Sequence, residues 1–353
     1  MHLCSFGLQP KIFVVGDFSV WSFGFMQDMH TGDRRKRNRP SQGGKKHLSH
    51  PTRDAVIRGV LSTGQKEIIT KNQGTDISWA DVSWNHIWGC TQISEGCDNC
   101  YAKTLAHGRG YGGPNGLRPY LWGKDGDTAT GKTWDVERGR AITRPSGWAK
   151  LDALNRKAAK NNQVIVCFGN SLTDVFQDHP VAEREMKRYW EKIKQTPWVH
   201  YMLLTKRAHN IRKSLPPDWF DYENGYPNVW LGVSVELQKY AFRWEKYLAD
   251  IPAANKFVSY EPALGPVRLK HLEKLDMVIV GGESGTNRRP FDYDWARNMH
   301  NDCKAHGVCF FYKQDAGYRQ SSNPYLDGKE FKEVPIPRES KLIKPAGKIV
   351  KAA

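Results

Sequence analysis

Val229-Trp230-Leu231-Gly232-Val233-Ser234-Val235-Glu236 is a short run of β-branched and aromatic residues that ends on a serine and a carboxylate. Its length and its strand-forming residues predict a buried β-strand. Runs of the same kind recur at Gln163–Phe168, Trp198–Leu204, Lys256–Tyr260, Met277–Val280 and Val308–Tyr312. Amphipathic stretches lie between most of them, at Trp148–Lys160, Pro180–Gln195, Leu237–Asp250 and Tyr293–His306. Strands alternating with helices predict a parallel sheet with helical crossovers. A further strand-like stretch, Ile77–Trp84, precedes the series. The expected fold class is therefore α/β, a partial or near-complete β/α (TIM-like) barrel of about six to seven units.

The strand ends are polar. After the second strand come Asn170, Ser171, Thr173 and Asp174, and after the third Thr205-Lys206-Arg207. Ser234 and Glu236 end the fourth, Ser259 and Glu261 the fifth, Gly281-Gly282-Glu283-Ser284 the sixth and Lys313-Gln314 the seventh. Each group taken singly is an ordinary turn or helix cap. In parallel β/α folds, however, ligands bind at the carboxyl ends of the strands, and a succession of such ends predicts a shared pocket.

Cys90, Cys97 and Cys100 form a C-x6-C-x2-C loop directly after the first strand. The close pair sits on one tight turn, and the third thiol joins by an arm containing Gly96. Three readings fit this spacing. One is a 4Fe–4S cluster on three thiolates, with one iron open to a ligand. Another is a Cys3His zinc site completed by His86 or His107, and the last is a group of unmetallated thiols. A position at the pocket mouth favours the cluster, because a structural zinc clip has no need to sit there. Cys167, Cys303 and Cys309 read as core thiols.

The chain has 353 residues and a formal net charge of +16. Eight Lys or Arg against two Asp between His30 and Asp54 carry +6 of this, leaving +10 elsewhere. Such basicity calls for a polyanionic partner, above all nucleic acid. No apolar run approaches the roughly 18 residues of a membrane span. Three cysteines crowded into one loop suit a reducing compartment and a metal site better than a disulfide framework. Residues 1–74 read as a basic, disordered extension, in which Met29 is a candidate downstream start. Residues 75–320 read as the barrel, with a Gly-rich aromatic insertion at 108–147 as a lid or substrate-facing loop. Residues 321–353 read as a tail.

Several of these runs resemble one known family in the same order. They are Ile77–Asn85, Gly89–Ala102, Leu203–Arg207, Val229–Glu236, Glu261–Pro266, Val278–Gly285 and Phe310–Gln314. Together they resemble the phage gene-product 37/68 family, which is in turn similar to the radical S-adenosylmethionine superfamily. The resemblance implies a partial β/α barrel whose Cys90, Cys97 and Cys100 hold a 4Fe–4S cluster. It implies that the open iron binds S-adenosylmethionine, whose reductive cleavage yields a 5′-deoxyadenosyl radical. A reductant protein such as flavodoxin or ferredoxin and a phage-encoded protein in the host cytoplasm are implied too. The superfamily's Gly-Gly-Glu run follows its second strand, whereas Gly281-Gly282-Glu283 follows the sixth here. Its amino-group contact therefore passes to Asn170, Ser171 and Asp174, which occupy that place.

On this reading Gly281, Gly282, Glu283 and Ser284 approach the ribose or adenine of the cofactor. Lys206 and Arg207 are anion contacts, and Lys206, Glu236, Glu261 and Lys313 are candidates for acid–base work. Trp122 and Trp134 are candidates for stacking a base. The first functional hypothesis is rearrangement of a base, or its appendage, in phage DNA, for example isomerisation of an amino-acid-modified thymine. A radical enzyme acting on a small metabolite or a damaged base is one alternative. A zinc-stabilised nucleic-acid-binding module is another.

Overall fold

In a computed structural model the chain is described over residues 77–103, 129–130, 134–137, 140–319 and 323–335. The basic extension 1–74, His107, Trp122, the whole first half of the insertion (108–128) and residues 336–353 lie outside the described residues. In chain order the first strands are β1 (Val82–Ser83), β2 (Ile87–Trp88), β3 (Ala129–Thr130), β4 (Trp134–Glu137), β5 (Arg140–Thr143) and β6 (Ile165–Phe168). They are followed by β7 (Val199–Thr205), β8 (Val229–Ser234), β9 (Asn255–Tyr260), β10 (Met277–Gly281), β11 (Cys309–Gln314), β12 (Tyr325–Leu326) and β13 (Lys329–Glu330). The helices are α1 (Pro145–Lys160), α2 (Pro180–Gln195), α3 (Ile211–Ser214) and α4 (Tyr293–His306).

Seven strands form one parallel half-barrel sheet in the order β1-β6-β7-β8-β9-β10-β11. Strands that pair in the order of the chain wind in one direction, unlike a doubly wound sheet, which reverses midway. The period of two along each strand sorts the side chains. Val166, Phe168, Met202, Trp230, Phe257, Met277, Ile279, Cys309 and Phe311 form one buried cluster on the inner face, with Ile77 and Trp79. Ile165, Tyr201, Leu203, Leu231, Val233, Val258, Tyr260, Val278, Val280 and Phe310 point the other way, into the larger core that includes the helices. Continuing the inner series by steps of two reaches Asn170, Lys206, Ser234, Glu236, Ser259, Glu261, Gly281, Glu283 and Lys313. One periodicity thus brings the polar strand ends to one face.

The helices cover the outer face. Proline at the first helical position starts α1 and α2, where the missing N–H has no partner to lose. His179 caps α2 by accepting from Val181 N through Nδ1, and Asp292 caps α4 by accepting from Asp294 N. Gly307, left-handed at φ 69°, ends α4. Helix α2 buries Met186, Tyr189, Trp190 and Ile193 along one stripe, as an amphipathic helix on a sheet must. No helix among the described residues is long and apolar enough to cross a membrane.

Four expectations are corrected. The first strand is only β1, because the Asp81 carboxylate accepts from Val166 N at 2.8 Å in place of a backbone carbonyl, while Ile77 and Trp79 fold onto the inner face. The stretch Leu237–Asp250 is not an α-helix. It is a 3-10 turn, Gln238–Tyr240, and a π-helix, Arg243–Leu248, whose wider turn carries Arg243 and Trp244 into the interior. The insertion 108–147 is not a plain loop, since β3, β4 and β5 pair with β2 in an antiparallel sheet of order β2-β5-β4-β3 and α1 begins at Pro145. The segment after residue 321 is not merely a tail. After the β12–β13 hairpin, Phe331 O accepts from Tyr312 N and Glu333 N donates to Phe310 O, covering the edge of β11.

Candidate active site

A cavity of about 210 Å³ opens at the carboxyl ends of the parallel strands. Cys90, Cys97 and Cys100 all line it, opposite Ser234, Ser259, Glu261, Lys313 and Gln314. All three cysteines are free thiols. Their loop is short of regular structure, with only a 3-10 turn at Glu95–Cys97, so its position depends on bonds to the strand ends.

Three sets of contacts hold it. On the β6 side, Gly89 N donates to Leu172 O, and Thr173 Oγ1 and Gln177 Nε2 donate to Gly89 O. Tyr101 OH donates to Ser171 O at 2.8 Å, and Ser171 Oγ bonds Ser83 Oγ and accepts from Asn85 Nδ2. On the β7–β8 side, Ser94 Oγ donates to Glu236 Oε1 at 2.7 Å. That carboxylate is fully buried and also pairs with Lys206 Nζ at 2.7 Å and with Arg243 Nη1. A β-carbon on Gly96 would lie 2.5 Å from Glu236 Cγ, so only glycine lets the loop approach this closely. On the β10 side, Asn99 Nδ2 donates to Glu283 Oε2 at 3.0 Å, while Arg289 grips Glu283 and donates to Glu95 O.

The electrostatics follow from burial. Burial pushes the Cys90 thiol up to about 11, aided by Asp174 and opposed by Arg207. Burial raises Cys100 as well. Arg207 Nη1 stands 3.9 Å from Cys90 Sγ and 3.2 Å from Asp174 Oδ2. Arg140, buried in β5, donates to Thr91 Oγ1 and Gln177 Oε1, and burial lowers it to about 10. Burial acts to lower Lys206, but Glu236 and Cys97 outweigh it and the net shift is upward. Burial acts to raise Glu236, but Lys206 and Arg243 outweigh it and hold the carboxyl below its ordinary range. Cys97 is buried, Cys90 and Cys100 are half-buried on the cavity wall, and Arg207 stands beside Cys90.

The candidate residues take different places. Asn170, Ser171, Asp174, Lys206, Glu261, Gly282, Glu283, Ser284 and Lys313 line the cavity with the cysteines. Gly281 packs against Glu261 instead, and Glu236 lies behind Lys206. Asp174 is committed to bracing, accepting from Thr205 Oγ1, Phe176 N and Lys206 N. Asn170 lends Nδ2 to His86 Nδ1, and its buried Oδ1 has no partner among the described residues. Glu261 and Lys313 pair at 2.9 Å, with Ser259 Oγ 3.3 Å from the carboxylate. Gly282 is required where the backbone of Asp315–Ala316 passes, since a β-carbon would lie 2.6 Å from Ala316 N. Sequence reasoning passed over Ser94, Asn99, Arg140, Arg243 and Arg289. The polar residues inside the cysteine loop were the available signal for the first two; nothing local marked the arginines.

Among the described residues, no group of three His, Cys, Asp or Glu converges closely enough to share one metal ion. His86 is buried, stacked on Tyr189 at 5.0 Å and bonded to Asn170, and burial lowers it to about 3. A 4Fe–4S cluster makes a different demand, since each thiolate binds a different iron. Cys90, Cys97 and Cys100 line one cavity, and Arg207 Nη1 stands beside Cys90 Sγ.

The family model described as protein of unknown function (DUF5131) matches residues 74–344. No curated protein matches, and no solved structure matches.

Proposed function

The chain belongs to the DUF5131 family, and for it we propose a radical S-adenosylmethionine enzyme on a TIM-like partial barrel. The observation that carries the proposal is that all three thiols of the C-x6-C-x2-C loop line one cavity with the polar ends of the strands. Cys90, Cys97 and Cys100 would hold a 4Fe–4S cluster, which with S-adenosylmethionine and an electron from a reductant protein would supply radical chemistry for hydrogen abstraction.

The remaining roles belong to the chain's own groups. Asn170 Oδ1, buried and without a partner among the described residues, is the acceptor for the cofactor's ammonium group. The Gly282 turn, free of a β-carbon, lets the backbone approach the nucleoside end. Lys206, charged and at the thiol wall, faces the cofactor carboxylate. Glu261 and Lys313 orient the polar end of the substrate and hold a proton beside it. Phe168 and Leu204 among the lining residues help keep the cavity dry. The substrate class is nucleic acid, a base or its appendage in DNA, on the strength of the +16 charge. A ferredoxin- or flavodoxin-type protein supplies the electron.

Anaerobic reconstitution tests the proposal. The expected result is about four irons and four sulfides per chain, lost in Cys97→Ala, with 5′-deoxyadenosine released on adding dithionite and S-adenosylmethionine. One zinc per chain, and no iron after reconstitution, would overturn it. Mass spectrometry of nucleosides from cells with and without the gene then tests the DNA assignment.

A further inference from the structure

Beside the cavity, the loops after β10 and β11 zip together. Gly285 N donates to Gly317 O at 3.1 Å and Gly317 N to Glu283 O at 3.1 Å, in register with a bridge between Ser284 and Gly317. On their far side lies an open groove of about 560 Å³, lined by Thr286, Arg288, Arg289, Phe291, Tyr293 and Asp315 among others. Two features of this stretch bear on what it could bind.

The first is its charge. Arg288 is held in place by backbone carbonyls, Nε donating to Ala316 O at 3.3 Å and Nη1 to Gly285 O at 3.0 Å. Among the described residues no carboxylate pairs with Arg288, which lines the groove, or with the exposed Arg319, two residues after the Gly317 bridge, whereas Arg289 and Arg297 pair with two each and Arg268 with one. The groove's own acid, Asp315, is occupied by Tyr293 OH and Asn323 Nδ2. The second feature is aromatic. Tyr318, one residue beyond the bridge, is 65% exposed, the largest value among the exposed large hydrophobic residues described. A positioned guanidinium without a counter-charge, a second arginine and an open ring suit a phosphodiester strand: forks for phosphate, a face for a base.

We propose that this groove binds the backbone of a single-stranded or flipped-out nucleic acid, with Arg288 and Arg319 on phosphates and Tyr318 stacked on a base next to the nucleotide entering the cavity. The zipped loops then form the ridge over which the strand passes from groove to cavity. A base reaching a recessed site must leave its stack, and a stacking ring beside the entrance offsets part of that loss. This assignment of substrate class rests on the cavity being the reactive site.

The test is fluorescence anisotropy of the full chain, before reconstitution, with a labelled mixed-sequence oligodeoxynucleotide of about 15 nucleotides over a salt series. Arg288→Gln with Arg319→Gln should weaken binding and reduce the slope of log affinity against log salt by about two. Tyr318→Ala should weaken it about fivefold or more, and Lys150→Gln on α1 should change neither quantity. Unchanged affinity and slope in the double variant, or no binding by the parent chain, overturn the groove assignment. Thymidine monophosphate competing as well as the oligonucleotide overturns its polymeric form. Iron content is measured separately: binding through the groove by a chain that takes up no iron keeps the groove and sinks the cluster.

Discussion

Two adjacent strands end in the same local pattern, Val233-Ser234-Val235-Glu236 on β8 and Val258-Ser259-Tyr260-Glu261 on β9, with Ser234 paired to Ser259 in register. Their carboxylates have opposite fates. Glu236 is sealed between Lys206 and Arg243 and receives Ser94 from the cysteine loop. Glu261 faces the cavity beside Lys313. The difference comes from the connections. The π-helix after β8 delivers Arg243 inward, and the cysteine loop lies over Glu236, whereas neither reaches Glu261. One braces the cysteine loop; the other lines the cavity.

Truncation of the two carboxylates should separate them most. Glu236→Ala leaves Lys206 and Arg243 without their counter-charge in the interior and should cost about 3–5 kcal/mol in urea unfolding. Glu261→Ala, on the cavity wall where both members of the Lys313 pair keep some exposure, should cost less, while abolishing the proposed release of 5′-deoxyadenosine after reconstitution. Equal losses of stability would break the comparison.

Acid provides the second contrast. The folded pKa of Glu236 is depressed below the ordinary 4.5, by Lys206 and Arg243 against the opposing effect of burial. Its stabilisation is therefore present above pH 4.5 and lost as pH falls through the lower folded value. In Glu236→Gln the urea midpoint should consequently fall less steeply than in the parent below pH 4.5. An identical acid limb in the two proteins would contradict the buried pairing. The smallest effect belongs to Ser259→Ala. Its 3.3 Å contact to Glu261 should be worth about 0.5 kcal/mol, and a loss several times larger would place Glu261 in a tighter network than the structure shows.

Much of this was legible in the chain. The six later strands stand within a residue or two of their sequence-predicted bounds, because a strand buried on both faces is written as a continuous apolar run. The polar endings announced a common cavity wall, and the cysteine spacing announced the loop. Less legible were β1, where Asp81 substitutes for a backbone acceptor, and the stretch after β8, where an amphipathic pattern does not distinguish an α-helix from the wider turn that buries Arg243. The strands of the insertion escaped notice because they are short and β4 and β5 pair mainly with each other.

The sequence by itself determined where strands and helices run and, through the period of two, which polar residues share the inner face. Only the tertiary structure decided which of them remain open to a ligand. A charged side chain near a strand end is silenced or exposed by what lies opposite. Arg207 reaches Asp174, and Ser94 and Asn99 of the cysteine loop reach Glu236 and Glu283, from far along the chain, while Arg243 and Arg289, seven and six residues from Glu236 and Glu283, are turned back onto them by the folded connections. Local sequence sets direction through backbone geometry; neutralisation depends on contacts that form only when the chain folds.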